Sequence, residues 1–138
     1  MNIGLLVRNL QAAEGLRLKP YRDTVGKLTI GFGRNLDDVG IREPEAQYML
    51  ALDIEQVTAE IDKALPWWRK LNEDREAALA EMGFNLGIAG LLGFKKMLAA
   101  LEAEDWEAAA AHAMDSTWAK QVGKRAERIA ETFRTGEG

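Results

Sequence analysis

The chain contains no cysteine, which excludes thiol nucleophiles, cysteine-held zinc and disulfide chemistry together. That composition fits a protein that accumulates in a reducing cytoplasm. Its one histidine, His112, stands alone, and a lone imidazole builds no metal site. No metal and no cofactor is therefore expected. Long apolar runs are missing too: no stretch approaches the roughly 18 residues that a membrane helix needs. Met1 to Ala13, interrupted by Arg8, lacks the basic start, continuous apolar run and small-residue cleavage site of a signal peptide. No stable membrane insertion is expected. Repeats, low-complexity tracts and flexible linkers are absent as well.

What is present is enough for a core. Of 138 residues, 47% are hydrophobic, so one compact domain can form without a disulfide or metal staple. The net charge of −4 is uneven. Residues 1–35 carry +4, residues 36–66 carry −6 and residues 67–138 carry −2. The acidic middle argues against nucleic acid as a partner, because duplex binding needs a basic stripe. The basic first segment suits an anionic substrate, although ordinary solvated charges give the same count.

Ile3, Leu6, Val7 and Leu10 recur with helical spacing, which predicts a first helix over about 2–13, ended by Gly15. From Leu16 to Gly33 the period drops to two. Leu28, Ile30 and Phe32 alternate with Thr29, Gly31 and Gly33, and Asp23-Thr-Val-Gly26 supplies turn chemistry. These residues predict a hairpin, with a third short strand near 35–39. Pro44 suits the first turn of a long helix over 44–65, striped by Ala46, Leu50, Ile54, Val57, Ile61 and Leu65 and stopped by Pro66. Helices are then expected at about 73–86, 93–103, 105–114, 117–121 and 124–133, with Gly87, Gly90, Gly93 and Gly123 between or near them and Asp105 as an N-cap. The fold class expected is α+β and mostly helical. A hairpin lobe (about 14–43) is joined by the long helix to a helical lobe (about 67–138), which the 2–13 helix joins.

Glu14 and Asp23 are the only two acids in the first 36 residues, and they fall at two element ends. Glycoside hydrolysis needs such a pair, one protonated for the leaving oxygen and one ionised to activate water or stabilise positive charge. Glu14, at the carboxyl end of a helix, meets the negative end of the dipole and is expected to hold its proton longer. Asp23, in a turn rich in backbone N–H groups, is expected to ionise readily. Thr29, on the strand face opposite Leu28 and Ile30, is placed to hold a water. A glutamate near a helix end and an aspartate in a turn are also what solvated carboxylates look like, so spacing alone leaves both readings open.

The stretch Glu14-Gly15, then Tyr21-Arg-Asp23-Thr24-Val-Gly26, then Thr29-Ile-Gly-Phe-Gly33 resembles the active-site region of the T4-type phage lysozymes, glycoside hydrolase family 24. Further along, Phe84-Asn-Leu-Gly87, Ala89-Gly90, Gly93-Phe94, Asp105-Trp-Glu-Ala-Ala109, Ser116-Thr-Trp118, Arg125-Ala126 and Phe133-Arg-Thr-Gly136 follow in family order. The resemblance implies a lysozyme-like fold and an endolysin muramidase acting by inversion on peptidoglycan. It puts the catalytic glutamate, aspartate and threonine at Glu14, Asp23 and Thr29, and saccharide- or peptide-contacting positions at Asn35, Phe84 and His112. A further contact position falls on Met97, which cannot replace a hydroxyl. Arg34 stands where the family often has histidine, and the segment before the long helix is shorter than in the best-known member. The implied setting is a monomer held in the host cytoplasm until a holin permeabilises the membrane and the cell wall becomes accessible. The rival is a catalytically silent peptidoglycan-binding domain, which retention of Glu14, Asp23 and Thr29 together disfavours.

Other conspicuous residues have plainer readings. Of Trp67 and Trp68, one is expected buried against the long helix and the other half-exposed. Trp106 and Trp118 are expected in the core. Arg17 and Arg22 flank the acidic pair or face water. Lys124, Arg125, Arg128 and Arg134 read as a solvated face over Ala126, Ile129, Ala130 and Phe133.

Overall fold

The computed structural model describes residues 1–138. Asn2 starts the first helix, its side-chain oxygen accepting the Leu5 N–H at 3.0 Å. That helix, α1, runs Ile3–Glu14. The strands β1 (Arg17–Arg22), β2 (Leu28–Gly31) and β3 (Arg34–Asn35) follow. They form one antiparallel sheet in the order β1-β2-β3, and a bulge lies between Arg17 and Tyr21 in β1. The third strand is only two residues long because Gly33 turns the chain before it and Asn35 closes the next turn by accepting the Asp38 N–H at 2.9 Å. The remaining helices are α2 (Glu43–Ala64), α3 (Glu73–Leu92), α4 (Lys95–Glu102), α5 (Trp106–Met114), α6 (Thr117–Val122) and α7 (Lys124–Thr135). This is the α+β, mostly helical architecture expected of a lysozyme-like fold.

Two compact units emerge, Met1–Tyr48 and Met49–Gly138. The first holds α1, the sheet and the opening turn of α2, and none of the residues of α1 is buried. The second contains the hydrophobic core, with Trp68, Ile61, Leu79, Met82, Leu91, Met97, Leu101, Ile129 and Phe133 fully buried. Here α5 packs on α4 and α7, and α7 on α3. The stripe predicted for α2 is buried only from Val57 onward, while Leu50 and Ile54 remain exposed.

Local rules account for most boundaries. Asn72, Asp105 and Ser116 cap α3, α5 and α6 through side-chain oxygens. Helix α3 breaks at Gly87 (φ 77, ψ 163), where the sequence placed its end, and a second helical piece then runs on to Leu92. Trp68 is buried, its indole N–H donating to Asp62 at 2.6 Å, and Trp67 is half-buried. Trp118 is in the core, donating to Asn85 at 2.7 Å. Trp106 is only partly buried and lies under the Arg75 guanidinium, 3.7 Å from the ring centre.

Candidate active site

Glu14 is the last residue of α1, because Gly15 adopts φ 71, ψ 163, a conformation essentially open only to glycine. The chain leaves the helix there and enters β1 two residues later. Glu14 itself is exposed. Its carboxyl rests against Gly33 at the far end of the hairpin. A Cβ at Gly33 would lie 2.5 Å from Glu14 Oε2 and 2.9 Å from Cδ, so no side chain fits while Glu14 keeps this position. Gly33 also has φ 78, which disfavours any other residue.

Asp23 sits at the turn between β1 and β2 and is half-buried. Its Oδ1 accepts the N–H groups of Val25 at 3.0 Å and Lys27 at 2.8 Å. Oδ2 makes no hydrogen bond within the chain, so one oxygen fixes the carboxylate and the other stays available. Thr29 is buried, with 4% of its surface exposed. Its hydroxyl donates to Lys27 O at 2.9 Å, and that same carbonyl accepts the Asp23 N–H at 2.9 Å. The Lys27 backbone therefore ties Asp23 and Thr29 together. With its proton committed, the Thr29 oxygen keeps only acceptor capacity, which suits it to receive a hydrogen bond from a water.

The remaining sequence-predicted residues are placed less directly. Asn35 pairs with Thr29 across β2 and β3, but both ends of its amide are engaged by Asp38, at 2.9 and 3.0 Å. Phe84 on α3 is exposed. His112 on α5 is half-buried and lines a hollow of the second unit. Arg17 stacks on Tyr21, 4.7 Å from the ring centre, and Arg22 donates to Gly26 O at 3.1 Å.

Sequence reasoning missed two features of the first unit. Gly33 stood in the motif with no stated role, and its absent side chain is what admits Glu14. Arg34 forms a bidentate pair with Glu45 at 2.8 and 2.7 Å, and it also donates to Gly40 O at 3.2 Å. Glu45 additionally accepts the Arg42 N–H at 2.8 Å. The guanidinium and that N–H together lower the Glu45 pKa to about 2. The departure from histidine was visible in the sequence, but its partner was not.

The profile of the phage lysozyme family matches residues 11–132. The chain belongs to that family. It is 30% identical to a probable T4-type lysozyme 2 of Dictyostelium discoideum, the match covering 92% of each chain. An endolysin of Acyrthosiphon pisum secondary endosymbiont phage 1 is 34% identical across 81% of this chain and 77% of its own length. The pre-baseplate central spike protein of Enterobacteria phage T4 is 32% identical over 92% of this chain, which spans only 27% of that longer protein. Membership in the phage lysozyme family makes the chain a lysozyme-type glycoside hydrolase, and the matched span includes Glu14, Asp23 and Thr29.

Proposed function

We propose that the chain is an endolysin muramidase that hydrolyses the β-1,4 bond between N-acetylmuramic acid and N-acetylglucosamine in peptidoglycan. Glu14 is the general acid that delivers a proton to the glycosidic oxygen. Asp23 directs water to the anomeric carbon through its free Oδ2, and the Thr29 oxygen accepts a hydrogen bond from that water and orients it. The outcome is inversion, for which paired carboxyls stand about 6.5–9.5 Å apart so that water fits between acid and base. Asn35, Phe84 and His112 contribute to holding the glycan and its peptides. The protein works as a monomer, stored in the host cytoplasm until a holin opens a path to the wall, and its action there lyses the cell.

The observation that supports this reading best is the seat of Glu14. A carboxyl at a helix end is lodged over a glycine of the hairpin, and that hairpin also carries an aspartate fixed by two N–H donors and a threonine with acceptor capacity. A solvated glutamate needs no such seat. The names of the relatives, lysozyme and endolysin, support the same substrate. Digestion of purified peptidoglycan tests the reading. New reducing ends on muramic acid, first formed as the α anomer in a rapid NMR time course, are expected. Reducing ends on glucosamine would overturn the bond assignment, and a first-formed β anomer would overturn inversion.

A further inference from the structure

The second unit carries a hollow of about 720 Å³ whose walls include Lys95, Lys96, Thr117 and His112 over a floor containing Trp118. The floor is fixed: Trp118 donates to Asn85 at 2.7 Å and meets Phe94 edge-on at 6.0 Å between ring centres. Neither lysine ammonium has an acidic partner at ion-pair distance, and both residues are exposed. Asp115 is the one acid in the lining, so cationic charge dominates. The unit's apolar hollow beside α2 and α3 is different. There Arg69 and Arg125 are both held by glutamates, at 3.2 and 2.8 Å, and no cation is left over. Met97 at the edge of the Lys95 hollow is buried and donates nothing, so polar recognition falls to the lysines.

We propose that Lys95 and Lys96 are specificity-determining residues that bind the free carboxylates of peptidoglycan stem peptides in this hollow; the inference rests on the muramidase reading for its substrate. The glycan of peptidoglycan is largely uncharged, and the stem carboxylates are its recurring anions. Two unpaired lysines in the wall of a hollow with a fixed aromatic floor select such groups by charge, because ammonium acts as a point charge with freely rotating donors. Recognition reverses the sign expected from the whole molecule. A chain of net charge −4 is repelled by an anionic wall, so without a local cationic site it digests a neutralised wall faster.

The test compares initial rates on one wall preparation with its stem carboxyls either free or converted to amides. The wild type is expected to prefer the free-carboxyl wall several-fold, and Lys95→Gln/Lys96→Gln to bring that ratio to one or below. Lys95→Arg/Lys96→Arg, which keeps the charge, is expected to retain a preference. A wild type indifferent to amidation, or a glutamine variant that keeps the preference, overturns the proposal. If the wild type cleaves neither wall, the muramidase reading fails instead. The hollow is then read by NMR titration with L-alanyl-D-glutamate and its diamide. Shifts at Lys95, Lys96 and His112 with the free acid alone support the site, and their absence removes it.

Discussion

Gly33 determines whether Glu14 can keep its position. Replacement by alanine adds a Cβ at 2.5 Å from the carboxyl oxygen and strains a backbone at φ 78, at a cost of about 1 kcal/mol. The fold should survive, with Glu14 pushed aside. Because a displacement of about 1 Å of a reacting group can cost on the order of 10²-fold in rate, Gly33→Ala is expected to reduce kcat by about that factor. Circular dichroism and thermal unfolding will show whether the protein remains folded. Thr29 gives a second residue-level test. Thr29→Ala removes the hydroxyl proposed to hold the water and its bond to Lys27 O, and should lower kcat at least about 10-fold. Thr29→Ser, which keeps both, should restore most of it. Rescue separates hydroxyl chemistry from packing of the buried methyl group. Among single residues the sequence singled out candidates and was silent about distances. Glu14, Asp23 and Thr29 stood out through element ends and motif spacing. That Lys27 joins two of them through its backbone follows from turn geometry that no residue type encodes.

Among elements, the Arg34–Glu45 pair holds the end of the sheet to the start of α2. The folded Glu45 pKa lies at about 2, below the ordinary 4.5. Stability from this group is therefore complete above about pH 4.5 and is lost as pH falls toward 2. The first unit should lose thermal stability over that window, and Glu45→Gln should flatten the dependence, as followed by unfolding scans at stepped pH. Arg34→His reverses the sensitivity. An imidazolium beside a carboxylate has a raised pKa, so its contribution is present in acid and lost as pH rises through the folded value. That variant should weaken as pH rises from about 6.5 through its raised folded value, a range in which the wild-type Glu45, with its pKa at about 2, stays ionised. Elements were legible wherever local signals and periodicity agreed, as at Pro44, Asp105 and Gly123. They were incomplete where a signal was missing. Gly87 interrupts α3 where the sequence placed its end, but the further helical piece up to Leu92 was not legible. The apolar stripe of α2 gave a correct helix but no indication that only its carboxyl-terminal half is buried.

In the molecule as a whole, one buried cation ties distant segments of the second unit. Arg75 donates to Phe133 O at 2.8 Å and Arg134 O at 3.3 Å and covers Trp106. Asn72 adds a bond to Gly136 O at 2.9 Å. Arg75→Ala leaves buried carbonyls unpaired and removes the stacking, so a loss of about 3 kcal/mol is expected. It should appear as a lower denaturation midpoint at unchanged slope, with the reaction chemistry retained below the melting temperature. Nothing in the local sequence around Arg75 marks it as buried. Its burial follows from the carboxyl-terminal segment folding back over α3, a long-range event that local patterns do not carry.

Glu14→Gln tests the proposed role of Glu14 as proton donor of a peptidoglycan-cleaving site with least interference. The exchange keeps the shape of the side chain in its seat over Gly33 and removes its ability to give up a proton. Release of reducing sugar from purified peptidoglycan is expected to fall by at least about 10²-fold, with an unchanged unfolding transition. Release at the wild-type rate by a folded Glu14→Gln protein would rule Glu14 out as the proton donor.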